Sequence, residues 1–164
     1  MKTLLTLTLL AAALACAAPA AAQKKDKKAE KERTEQAVRK ALENRAYTIA
    51  IDYMNPMKGR GRTLTSNYSI EVRNDSLFSY LPYAGEAYNV PYGGGKALNF
   101  NAPIAEYSQE AGKKGRTEIT LDVRNEEDHY TYRLTVFPDG NATLYVQPTH
   151  RQSISFSGEM ETEE

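Results

Sequence analysis

The feature that most constrains this chain is a succession of short segments in which apolar and polar residues alternate. Turn signals separate them, and no helix-length pattern intervenes. Tyr47, Ile49, Ile51 and Tyr53 alternate with Ala46, Thr48, Ala50 and Asp52. Leu64, Tyr68, Ile70 and Val72 follow in residues 63–73, and the turn Asn74-Asp75 leads into residues 76–81. Period-two alternation marks a half-buried strand, and an Asn-Asp pair between two such runs marks a hairpin. Residues 96–100 and 105–110 read as two further short strands, the second paired with residues 116–124 across Gly112-Lys113-Lys114-Gly115. Ile119, Leu121 and Val123 share one face, as do Tyr130, Tyr132, Leu134 and Val136 in residues 129–137. Beyond Pro138-Asp139-Gly140-Asn141 come Ala142, Leu144 and Val146, a corner at 148–151, and a last strand holding Ile154 and Phe156.

That makes eight or nine strands, most joined by hairpin-length turns. Parallel crossovers need a helix between strands, so they are excluded. One apolar face of so large an antiparallel sheet must be covered, and one short helix cannot cover it. The expectation is therefore a mainly β fold: an antiparallel up-and-down meander curled into a small lipocalin-like barrel, with a β-sandwich as the alternative.

The aromatic residues delimit this body. All 11 Tyr and 4 Phe lie between Tyr47 and Phe156, and Trp is absent. Residues 1–22 read differently: Lys2, an apolar run from Leu4 to Leu14, Pro19 as a helix breaker, and Ala20-Ala21-Ala22 before Gln23. This is the pattern of a secretory signal peptide, too short and wrongly flanked to span a membrane. Cleavage after Ala22 is the first expectation. The alternative is lipidation of Cys16, the only cysteine, although Ala13 stands where a lipobox carries a large apolar residue. Neither route leaves a thiol for disulfide or catalytic chemistry. The expected location is the periplasm or the cell surface, with membrane contact only through a lipid at Cys16.

Residues 23–45 form a charged spacer and helix. From 24 to 45 there are nine basic and five acidic residues. Residues 29–46 contain no Gly or Pro, and Val38, Ala41 and Leu42 give a narrow apolar stripe. A solvated spacer is expected to about Arg33, then a helix whose last turns pack on the body. The barrel domain occupies 46–160, and 161–164 is an acidic tail.

The segment Ser79-Tyr80-Leu81-Pro82-Tyr83, with Ala87-Tyr88, Pro91-Tyr92-Gly93-Gly94 and the final Arg151-Gln152-Ser153-Ile154-Ser155-Phe156-Ser157-Gly158, resembles the Bacteroidetes domain-of-unknown-function family 4251 (DUF4251). The resemblance implies an exported or lipid-anchored protein with a β-rich fold. It brings no activity and no site residues.

Few residues carry a pattern that points to chemistry. His129 and His150 are the only histidines, and no zinc-ligand spacing includes them. No G-x-S-x-G frames a nucleophile, and Gly93-Gly94-Gly95 lacks the Lys-Ser/Thr of a phosphate loop. Glu126, Glu127 and Asp128 read as a solvated turn. Lys58-Gly59-Arg60-Gly61-Arg62 is a basic loop, but an export signal and balanced charge (21 basic, 21 acidic) argue against nucleic acid. No catalytic residue, metal site or cofactor is expected, and the protein reads as a non-enzyme. Ser76 in Asp75-Ser76-Leu77 is a candidate O-glycosylation site.

One segment reads as a binding element. Tyr80, Tyr83, Tyr88 and Tyr92 are interleaved with Pro82, Pro91, Gly93 and Gly94. A Pro- and Gly-punctuated loop of this length either closes one end of a barrel or binds a ligand. Tyr rings suit a small apolar ligand, a glycan or a peptide. The expected function is an exported, non-catalytic envelope protein that binds through this loop. The alternative is a structural envelope protein that docks a partner by its N-terminal helix.

Overall fold

In the computed structural model, the backbone is described for residues 18–89 and 96–162, and side chains within the N-terminal helix from Lys27 onward. The helix α1 runs Ala18–Glu43. Eight strands follow: β1 Tyr47–Pro56, β2 Arg62–Arg73, β3 Ser76–Tyr80, β4 Asn99–Ala111, β5 Thr117–Arg124, β6 His129–Val136, β7 Asn141–Pro148 and β8 Ile154–Met160. Each pairs antiparallel with the next, and β8 returns to β1, so the sheet is a closed barrel. The meander curls on itself as its alternation requires, and the sandwich alternative falls. Ile119, Leu121 and Val123 all point inward, at most 1% exposed.

Two strand boundaries differ from the sequence reading. Residues 99–100 and 105–110 belong to one strand, β4, while 96–98 form a turn before it, and the pairing of β4 with β5 shifts register between Ile104 and Glu106. The irregularity imitates a break in the period. In β1 a similar shift between Ile51 and Tyr53 turns Met54 inward and leaves Tyr53 exposed. Opposite it stands Gly158, paired with Ile51. A Cβ there would run into the Ala50 carbonyl, so only glycine lets β1 and β8 close at this point.

The chain divides into two units at Arg33 and Thr34. In the first, the segment expected as a spacer is helical. Residues 24–33 contain no Gly or Pro, and Lys28 faces Glu32 one turn on.

In the second unit, the last turns of α1 pack on one end of the barrel. Val38 and Leu42 join the barrel core. Ala46 N–H donates to Ala41 O at 3.1 Å and Arg45 N–H to Leu42 O at 3.2 Å, a Schellman-type stop. Arg45 occupies its left-handed position (φ 49°), and its guanidinium lies 4.4 Å from the centre of the Tyr107 ring.

Candidate functional site

Among the described residues, large side chains occupy the barrel interior. Tyr130, Tyr132, Phe156, Ile49, Met54, Ile70, Leu77, Leu121, Leu134 and Leu144 are all fully buried. Near the end away from α1, the Phe100 ring lies 4.7 Å from that of Tyr130 and 6.5 Å, edge-on, from that of Tyr132. The polar tips in this cluster are satisfied. Ser79 Oγ donates to Leu98 O at 2.7 Å, so the Tyr132 hydroxyl, 3.0 Å away, donates to Ser79. Tyr130 donates to Ala97 O at 3.0 Å. Burial pushes the Tyr130 and Tyr132 phenols above their ordinary value.

Outside this aromatic layer the β3–β4 connection, the β5–β6 turn and the β7–β8 corner meet. Asp128 is their hub. The sequence placed it in a solvated turn, yet it is 5% exposed. Its carboxylate accepts the backbone N–H groups of His129 (2.8 Å), Thr149 (3.1 Å) and His150 (3.1 Å). It also faces His150 Nδ1 at 3.0 Å, which therefore carries a proton. Asn125 Oδ1 turns the chain toward it by accepting from Glu127 and Asp128 N–H. Next to it Arg151, buried, pairs with Glu127 at 3.0 Å, and Glu127 accepts Lys96 N–H at 2.8 Å. Adjacent carboxylates are thus spent on different neighbours, which the linear pattern could not reveal.

The loop tyrosines separate. Tyr83 is half-buried; its hydroxyl reaches the carbonyls of Gln152 (2.9 Å) and Glu86 (3.1 Å), and Arg151 lies 5.8 Å from its ring centre. Burial raises its pKa, and Arg151 opposes the rise. Gln152 bonds Glu86 through side chain and backbone, and Lys58 pairs with Glu86 at 2.9 Å. Tyr88 is tied by its N–H to His150 O at 2.8 Å, while the residue is 69% exposed. Tyr80 lies elsewhere, on the outer face of β3, with its ring 5.3 Å from that of Tyr68. The expected lining of one pocket by these tyrosines is not what the described residues form: Tyr83 is a structural tie, Tyr88 projects, and Tyr80 belongs to another surface. Tyr92, Gly93 and Gly94 lie outside the described residues, as does Cys16. Ser76 opens β3, half-buried, directly after the Asn74-Asp75 turn.

A His–carboxylate pair is the chemistry most suggestive of catalysis. Among the described residues no hydroxyl is hydrogen-bonded to His150. Nor does any group of three or more His, Cys, Asp or Glu among them sit as a metal site.

A family model, "Domain of unknown function (DUF4251)", matches residues 29–160. Among solved structures, the chain is similar to a DUF4251 family protein from Bacteroides eggerthii, at 16% identity and a TM-score of 0.59. That likeness covers 79% of this chain and 87% of the other. No curated protein matches.

Proposed function

The chain belongs to the DUF4251 family, and within it we propose an exported, non-catalytic binding module of the bacterial envelope that recognises its ligand on its surface. The observation that carries this reading is the contrast at the end away from α1. The interior there is packed with Phe100, Tyr130 and Tyr132, while Tyr88 stands out from a segment fixed by Tyr83, Glu86 and Gln152. A filled barrel offers little to an enclosed apolar ligand, whereas an exposed ring beside polar groups suits the flat faces of a glycan. Lys58, Glu86 and His150 supply those polar groups. The helix-docking alternative is weaker, because Val38 and Leu42 are already covered by the barrel. Export rests on the leader-like residues 1–22.

Native mass spectrometry of the protein isolated from its own cells tests the reading. A retained glycan, lost in Tyr88→Ala with the fold intact by circular dichroism, is expected. A retained apolar ligand unaffected by that substitution would overturn it.

A further inference from the structure

We propose that the distal half of β4 is a docking edge for an extended basic segment of a partner protein, taken up as an added β-strand. The two strands flanking β4 are unequal. β3 has 5 residues and accompanies β4 only from Asn99 to Pro103. The last bond on that side runs from Ile104 N–H to Asp75 O at 2.9 Å. From there to Ala111, β4 is paired with β5 alone. Among the described residues no strand lies along the other side of residues 105–111. At about 3.3 Å per residue this leaves roughly 20 Å of open edge, with alternate N–H and C=O groups facing outward.

The edge is stiff and chemically marked. Tyr107 is half-buried, with Arg45 over its ring, and its hydroxyl donates to Oε1 of the exposed Gln109 at 2.8 Å. Glu106, Ser108 and Glu110 are exposed. Among the described residues no cation pairs with Glu106 or Glu110. Across the ladder stand further acids, Asp122 opposite Glu106 and Glu118 opposite Glu110, although Glu118 is paired with Arg116 at 2.6 Å and Asp122 accepts from the Thr131 hydroxyl at 2.6 Å, so Glu106 and Glu110 carry the exposed charge of this edge. Like charges placed opposite one another weaken a sheet, and a strand bringing Lys or Arg at alternate positions relieves them. The same charges select the occupant. A second copy pairing antiparallel about Ser108 would set Glu106 against Glu110, so self-pairing is disfavoured. Strand addition draws affinity from the main chain and specificity from alternate side chains, as this edge offers.

The test uses the full chain and an acetylated, amidated heptapeptide alternating Lys and Val, with a Glu-for-Lys peptide as control. Amide hydrogen exchange should slow in residues 105–111 with the Lys peptide only. The double reversal Glu106→Lys, Glu110→Lys changes exposed side chains, and its circular dichroism should match the parent. It should weaken Lys-peptide binding about tenfold or more and favour the Glu peptide. Protection elsewhere, no binding, indifference to charge reversal, or a concentration-dependent dimer that buries residues 105–111 would each overturn the proposal. None of these outcomes depends on Tyr88, so this proposal and the glycan reading fail separately.

Discussion

The two ends of this barrel are closed by opposite chemistry. At one, Val38 and Leu42 of α1 drop an apolar stripe onto the strands. At the other, Asp128 gathers backbone N–H groups from the β5–β6 turn and the β7–β8 corner. The apolar closure is non-directional and scales with the area removed from water. The polar closure depends on each donor reaching its acceptor, because a buried group left unpaired costs more than the bond contributed. The first end should therefore tolerate change by degrees, and the second should fail at single atoms.

The largest expected effect follows from that difference. Asp128→Ala strands the His129 and His150 N–H groups, while Thr149 N–H keeps the His129 carbonyl at 3.0 Å, and should lower unfolding free energy by about 4 kcal/mol. Leu42→Ala leaves a cavity that the helix can partly close, and should cost about 3 kcal/mol. Denaturant titration of both variants measures the gap. A larger loss for Leu42→Ala would invert the comparison.

Tyrosines at both ends connect the comparison to pH. Burial raises the phenol pKa of Tyr47 and Tyr107 near α1, and of Tyr130 and Tyr132 at the far end. Unfolded tyrosine releases its proton near pH 10. Above that pH the unfolded chain binds fewer protons than the folded one, so stability present below about pH 10 is lost as pH rises toward the folded values. Urea midpoints from pH 8 to 11, with tyrosinate absorbance, should show phenolate appearing together with unfolding. The ends then part at single hydroxyls. Tyr132→Phe removes the donor to Ser79 and should cost about 1 kcal/mol. Among the described residues the buried Tyr47 hydroxyl has no hydrogen-bond partner of good geometry. Tyr47→Phe should therefore be neutral or stabilising by up to about 1 kcal/mol.

What the sequence disclosed divides along the same line. The helix stripe at Val38 and Leu42 and the inward rows of β5 and β6 follow from periodicity, because burying a face imposes a repeat on the chain. Tyr53 was misplaced because a bulge opposite Gly158 adds a residue to the count. The Asp128 hub left no trace in the pattern. Its partners are Thr149 and His150, a whole hairpin away, and a carboxylate accepting backbone N–H groups places no demand on which residues supply them. The loop tyrosines share one composition but have three different fates among the described residues, decided by Gln152 and Tyr68 rather than by their own spacing.

The smallest predicted effect separates two strained residues at the helix-capped end. Arg45 (φ 49°) ends α1, and Asp75 (φ 55°) completes the β2–β3 turn. Both sit in the left-handed region, where a side chain is a steric burden that glycine lacks. The Asp75 side chain is exposed, and its carbonyl, which accepts Ile104 N–H, is untouched by substitution. Asp75→Gly should therefore release the strain and stabilise by about 0.5 kcal/mol, net of the added freedom of the unfolded chain. Arg45→Gly releases the same strain but removes the guanidinium from the Tyr107 ring, a contact worth about 0.5–1 kcal/mol. Its net effect should lie near zero. Thermal melts of the two variants side by side decide the matter: if Arg45→Gly stabilises as much as Asp75→Gly, the ring contact contributes nothing. Tyr107 would then be held by its bond to Gln109 alone, and the open edge of β4 would be less rigid than its geometry suggests.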